Sequence, residues 1–147
     1  MVIDVRKLKY SGKDSLDFSF DYKFEEDMLL IPNAEIDGCL NVSGTLELHG
    51  DDVYVDGTVS CKIVGECARC LKMATYDFTA DMSLTYVRDN PDEDDYLYSS
   101  GVVDLRQAVK DVFLTNTPPV IYCNENCKGL CPICGCNLNE KDCDCKY

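Results

Sequence analysis

Seven of the eleven cysteines of this chain fall between Cys123 and Cys145, and an odd total forbids complete pairing within one chain. Dense cysteine spacing implies a disulfide framework in an oxidising compartment, and metal or thiol chemistry in a reducing one. The segment from Met1 to Lys9 lacks the roughly 7–15-residue apolar run of a secretory leader. No stretch approaches the roughly 20 apolar residues that span a bilayer. The expectation is a cytoplasmic protein with no membrane association, whose cysteines hold metal.

The strongest fragment is Cys131-Pro132-Ile133-Cys134-Gly135. Two thiolates with two residues between them can face one ion, Pro132 fixes φ in the turn, and a glycine after the second thiolate permits the tight turn of a zinc knuckle. Eight residues later, Cys143 and Cys145 supply two more sulfurs. Together, Cys131, Cys134, Cys143 and Cys145 predict a closed tetrahedral zinc site with Zn–S bonds of about 2.3 Å. Asn137-Leu138-Asn139 between the pairs suits a turn. Cys136 sits inside the knuckle as a spare thiol that could replace a neighbour.

Two further pairs, Cys67 with Cys70 and Cys123 with Cys127, are each half of a tetrahedral shell. Joined, they make a second four-cysteine site and bring the metal count to two Zn2+; the rival arrangement is one zinc, with the remaining pairs as reduced thiols. Cys67 and Cys70 could instead form a thiol redox pair or sensor, but an alternating strand pattern follows Leu71 where a redox motif uses a helix to depress its thiol. The spacing of Cys123, Cys127 and Cys131 is one residue longer than a C-x3-C-x2-C iron–sulfur run. A [4Fe–4S] cluster is the alternative metal group, and the C-P-x-C-G knuckle favours zinc. Cys61 is in phase with Val59 and Ile63 and reads as a small core hydrophobe, while Cys39 falls on the face opposite Leu40 and Val42.

Upstream of residue 119 the dominant pattern is alternation with period two. Leu16, Phe18, Phe20, Tyr22 and Phe24 lie on one face; Leu40, Val42, Leu46 and Leu48 on the next; Val53, Val55, Val59, Cys61 and Ile63 return after a turn over 49–52; Ala74, Tyr76, Phe78, Ala80, Met82, Leu84 and Tyr86 follow. Four such strands with short connections predict an antiparallel meander. One segment has helical spacing: Asp104 as N-cap, then Leu105, Ala108, Val109, Val112 and Phe113, ending before Pro118-Pro119. The predicted class is α+β: a mainly antiparallel β-sheet, curled or barrel-like, with one packed helix near 104–115 and a C-terminal zinc-knuckle appendage. Residues 1–119 form the β-rich domain and residues 120–147 the cysteine-rich zinc-binding tail.

The net charge of -13, from 27 acidic and 14 basic residues, opposes long-range attraction to nucleic acid, so direct RNA contact needs a local basic patch. Arg69, Lys72, Lys128 and Lys141, beside the cysteine motifs, are its candidates. Eight thiolates around two Zn2+ leave a surplus of four negative charges, which those same bases could compensate. The run Asp89–Asp95 reads as a solvated loop. His49, the sole histidine, falls at a hairpin turn, and no phosphate loop or nucleophile–base pair is present. The chain is therefore expected not to be an enzyme.

Three stretches carry a resemblance: Val64-Gly65-Glu66-Cys67-Ala68-Arg69-Cys70-Leu71; the run from Cys123 through Cys127-Lys128-Gly129-Leu130-Cys131-Pro132-Ile133-Cys134 to Asn137-Leu138-Asn139; and Cys143-Asp144-Cys145. They resemble the YceD family, the bacterial and plastid family named for accumulation of large-subunit ribosomal RNA. The resemblance covers nearly the whole chain, including Asp104-Leu105, and Cys136 departs from the small or polar residue usual at that place. It implies a role in large-subunit ribosomal RNA accumulation or processing and in ribosome assembly. The expected partners are a large-subunit ribosomal precursor or a basic ribosomal protein.

Overall fold

Alternating residues with one apolar face must bury that face against something, and here four long strands do so together. The computed structural model describes residues 2–12, 14–23 and 29–145. In chain order the elements are β1 (Val2–Asp4), α1 (Arg6–Ser11), β2 (Ser15–Tyr22), β3 (Ala34–His49), β4 (Asp52–Glu66), β5 (Met73–Val87), β6 (Tyr96–Leu97), β7 (Val102–Asp104) and α2 (Arg106–Asn116). Strands β2 to β5 form the expected antiparallel meander, and β6 adds a two-residue parallel edge to β5. The sheet is open, with β2 and β6 at its edges. A separate two-stranded ribbon pairs β1 with β7. No helix among the described residues is long and apolar enough to cross a membrane.

The β3–β4 connection is a two-residue hairpin, Gly50-Asp51, because His49 pairs directly with Asp52. Gly50 adopts φ 63°, the left-handed geometry such tight hairpins require. His49 therefore belongs to the strand end, where its Nε2 lies 3.1 Å from a Glu47 carboxylate oxygen and its ring meets Tyr54 edge-on at 5.0 Å. The β3–β4 register slips between Asp37 and Asn41 around Gly38 at φ 87°, a bulge that the alternation does not announce.

Leu40, Val42, Leu46, Val53, Val55, Val59, Ile63, Phe78 and Met82 are buried from one sheet face, as their phase predicts. Leu16 and Tyr76, in phase with them, are 40% and 38% exposed. Leu16 lies on the edge strand, and β6 pairs only with Tyr86 and Val87, so nothing in the sheet covers the Tyr76 end of β5. Phe24 lies outside the described residues.

Helix α2 closes the core with Leu105, Ala108, Val109 and Phe113, and the Phe113 ring packs on Phe78 at 5.0 Å between centroids. Leu105 rather than Asp104 is the N-cap, since its carbonyl accepts the first intrahelical bond from Val109. Asp104 ends β7, yet its carboxylate still accepts the Arg106 N–H at 3.0 Å and pairs with the Arg106 guanidinium. Thr117 is extended before Pro118, as that proline demands. The short helix α1 is additional to the one helix expected from the sequence.

Phe113→Ala should cost about 3–5 kcal/mol of stability through loss of apolar burial and the cavity left against Phe78. Leu114→Ala, one residue on but 43% exposed, should cost roughly 0.5 kcal/mol or less. Paired denaturant titrations measure the difference.

Candidate metal centres

Two short turns built on C-x-x-C carry the chemistry, and both fold the same way. In the β4–β5 connection, the Cys67 N–H donates to the Lys72 carbonyl at 2.8 Å and the Leu71 N–H to the Cys67 carbonyl at 3.0 Å. In the tail, the Cys131 N–H donates to the Cys136 carbonyl at 2.8 Å and the Gly135 N–H to the Cys131 carbonyl at 2.9 Å. The residue after the second cysteine is left-handed in each turn: Leu71 at φ 64° and Gly135 at φ 74°. The C-x-x-C spacing thus forms the same knuckle twice, once with its ideal glycine and once with a strained leucine.

The sulfurs of Cys67, Cys70, Cys123 and Cys127 all lie within 4.8 Å of one another, and so do those of Cys131, Cys134, Cys143 and Cys145. These are the eight cysteines the sequence singles out, in the two quartets it proposes. In the first cluster the Cys67 and Cys127 sulfurs lie 3.7 Å apart, and those of Cys70 and Cys123 3.6 Å apart. Cys67, Cys70 and Cys127 are buried in the main core, while Cys123 is exposed. In the second cluster only Cys131 is buried.

The donor set fits a cation. Burial pushes the Cys67 thiol up, but the backbone N–H groups of Cys70, Cys123 and Arg69, with the Cys127 thiol, outweigh it and bring Cys67 down to about 6. Backbone N–H groups of Cys134 and Ile133 bring Cys131 to about 6 in the matching position. Their neighbours go the other way: Cys123 is pushed up to about 12, chiefly by the Cys70 thiol, and Cys145 to about 12, chiefly by Cys134. Cys127 and Cys134 are lowered as well, Cys127 chiefly by the Asn139 side-chain amide and Cys134 chiefly by the Cys136 N–H, so neighbouring thiols within each cluster are driven in opposite directions. A divalent ion at the centre cancels the repulsion between thiolates and lets all four ionise.

The surroundings are spent on the clusters. The Arg69 guanidinium donates to the Cys127 carbonyl at 3.0 Å and stacks over Tyr122 at 4.6 Å. Lys72 pairs with Glu140, tying the first knuckle to the second cluster's loop. Ala68 N–H donates to the Ile121 carbonyl at 2.9 Å, and Gly129 at φ 79° leaves room for the Arg69 backbone, where a Cβ would sit 3.3 Å from its oxygen. Cys136 lies beside the second cluster, where the Cys134 thiol first, burial next and then the Cys143 thiol push it up to about 12. Cys61 is raised to about 11 by burial, as suits a core thiol.

Sequence reasoning missed Asn139. It reads as a turn residue, yet its Nδ2 donates to the Cys127 sulfur of the first cluster at 3.3 Å. Its spacing from the cysteines is the only signal available, and that spacing does not say which cluster it faces.

An open antiparallel meander bearing two knuckle-built, four-cysteine clusters defines a thiol-rich β protein. The family model described as large ribosomal RNA subunit accumulation protein YceD matches residues 55–147, a span holding all eight cluster cysteines, and the chain belongs to that family. An uncharacterized Mycobacterium leprae protein is 32% identical over 107 residues, covering 67% of this chain and 49% of its own length. An uncharacterized Mycobacterium tuberculosis protein is 32% identical over 108 residues, covering 67% and 51%. YlbN of Bacillus subtilis, also uncharacterized, is 27% identical over 122 residues, covering 78% and 71%. The chain thus spans about half the length of the mycobacterial relatives it matches. No solved structure matches it.

The strained knuckle gives a direct check. Leu71→Gly should raise stability by about 0.5–1 kcal/mol, since a 57%-exposed side chain is lost and left-handed strain is relieved. Gly135→Leu, the reverse change in the other knuckle, should cost about 1–2 kcal/mol. Metal-loaded denaturation midpoints of both variants test the equivalence of the turns.

Proposed function

We propose that this protein is a non-enzymatic cytoplasmic factor that supports accumulation and processing of large-subunit ribosomal RNA during ribosome assembly, with one structural Zn2+ in each four-cysteine cluster. Family membership carries the ribosomal part, and the two thiol tetrads carry the zinc. All-sulfur tetrahedral sites close around zinc without an open coordination position, which suits a structural rather than a catalytic ion. In this reading residues 1–119 are the β-rich unit and residues 120–147 a zinc-ordered tail, presented as a rigid knob on an open sheet that is neither enzyme cleft nor barrel.

The partner we propose is a large-subunit precursor, engaged through a basic ribosomal protein rather than through bare RNA. The chain's charge of -13 favours encounter with basic chains. Of the four bases beside the cysteine motifs, Arg69 is turned onto Cys127 and Tyr122, and Lys72 onto Glu140. That supports the compensating role for these bases over a continuous RNA-binding face. A redox role for Cys67 and Cys70 has less support, because both thiols are buried, at 0% and 4% exposure, among two further sulfurs.

Elemental analysis of protein purified without added metal should return close to two zinc per chain, and the Cys131→Ser/Cys134→Ser double variant close to one. Hydrogen exchange on that variant should show the tail losing protection while the strands keep theirs, because Leu130, Ile133 and Leu138 alone cannot offset the ordering entropy of the tail. Stoichiometric iron with visible absorbance would sink the zinc assignment.

In gradient sedimentation of cell extract the protein should travel with large-subunit precursors and leave them as salt rises, while a purified large-subunit ribosomal RNA fragment should bind weakly at physiological salt. A protein that stays at the top of the gradient with no ribosomal protein attached overturns the assembly role. Tight binding to naked RNA with a steep salt slope favours direct RNA recognition instead.

A further inference from the structure

We propose that Asn139 is a positioning residue that makes the two thiol clusters one cooperative metal unit, because its side-chain amide rides on the turn that closes the second cluster and donates to the Cys127 sulfur of the first. The proposal rests on the reading that both clusters hold zinc.

The two clusters are separated in sequence by Lys128-Gly129-Leu130 alone. Across that gap the chain folds back on itself: Leu130 bridges to Asn137, and the Leu138 N–H donates to the Gly129 carbonyl at 2.9 Å. The returning segment, 137–141, lies between Cys134 and Cys143, so both of its ends are anchored by ligands of the second cluster. Within it, the Glu140 and Lys141 N–H groups donate to the Asn137 carbonyl at 3.1 and 3.2 Å. Asn139 donates its own N–H and its Nδ2 to the Asn137 side-chain oxygen at 2.9 and 3.0 Å. Asn139 is thus held on all sides by the turn.

Its amide orientation is determined by chemistry. The Lys128 N–H, which can only donate, meets the Asn139 Oδ1 at 2.9 Å. That leaves Nδ2 facing the Cys127 sulfur, 3.3 Å away. A donor aimed at a metal-bound thiolate stabilises its charge, and such outer partners are worth about 10–100-fold in metal affinity. Since the second ion orders the turn that aims this donor, filling the second cluster strengthens the first. By linkage the coupling runs both ways.

The test uses the full chain loaded with zinc, with each cluster's affinity read by competition against a chromophoric chelator. Cadmium-113 resonances of the cadmium-substituted protein resolve the two clusters. Asn139→Asp keeps the size and the acceptor for Lys128 but replaces the N–H donor with a charged oxygen against the thiolate. We expect the first cluster to bind about 10–100-fold more weakly and its cadmium resonance to move, while the second cluster keeps its resonance and, with the first cluster empty, its affinity. Asn139→Ala should weaken the first cluster in the same direction by less, since it removes the donor without adding a charge. Cys131→Ser/Cys134→Ser should weaken the first cluster as well, and adding Asn139→Asp to it should weaken it no further, because the turn is already lost. An unchanged first cluster in Asn139→Asp, a second cluster weakened even with the first one empty, or losses that multiply in the combined variant each overturn the coupling. A wild-type chain without metal in its first cluster overturns the zinc reading before Asn139 is touched, so the two failures are separable.

Discussion

The constraint on which this structure depends is the closing of four sulfurs drawn from two distant stretches of chain. Cys67 and Cys127 are 60 residues apart in sequence, and their sulfurs are 3.7 Å apart in the fold. Bringing such positions together costs loop-closure entropy that grows slowly with length. The sheet and α2 lie between them in the chain, and the Ala68 N–H bond to the Ile121 carbonyl at 2.9 Å sets Cys123 and Cys127 beside the first knuckle. An ion held by these four thiolates would lock the junction and make metal affinity part of the folding free energy. The tail joins the sheet at this point, since Cys67, Cys70, Ile121 and Cys127 belong to the same buried core as Phe78 and Phe113.

Charge is arranged around that junction. The solvent face of the meander carries Asp17, Asp21, Asp37, Asp56, Asp77 and Asp81, all exposed, with Lys62 between Asp37 and Asp77 in register. Beside the clusters, Arg69 is turned onto a carbonyl and a ring and Lys72 onto a carboxylate. An acidic sheet face repels a free phosphate backbone at long range.

Legibility in the sequence followed the length of the signal. Five positions in phase in β4 and seven in β5 fixed strand and face, and the i, i+3, i+4 spacing of Leu105 to Phe113 located α2 to within two residues. β1, β6 and β7 are two or three residues long and exist only because of what they pair with, so no periodicity could reveal them. The Gly38 bulge and the short α1 escaped for the same reason. Leu16 and Tyr76 show the converse: correct phase and partial exposure, because phase gives a face and only neighbours give burial. In the tail the Cys131-x-x-Cys134-Gly spacing predicted its own turn, and the β4–β5 connection repeats that turn at Cys67 and Cys70. Asn139 did not announce its target, because its partner lies across a fold-back that local chemistry does not specify.

What the sequence determined by itself was everything governed by short-range geometry: strand phase, the helix, the knuckles and the identity of eight cysteines able to hold metal. Spacing of two residues between thiolates constrains a turn wherever the chain goes, so those assignments needed no tertiary context. Which pair meets which was a different matter. That Cys67 and Cys70 face Cys123 and Cys127, that Arg69 turns onto the Cys127 carbonyl, and that Asn139 reaches from one cluster to the other were decided only when the sheet, α2 and the tail packed together. These contacts join residues whose separation along the chain carries no information about their separation in space.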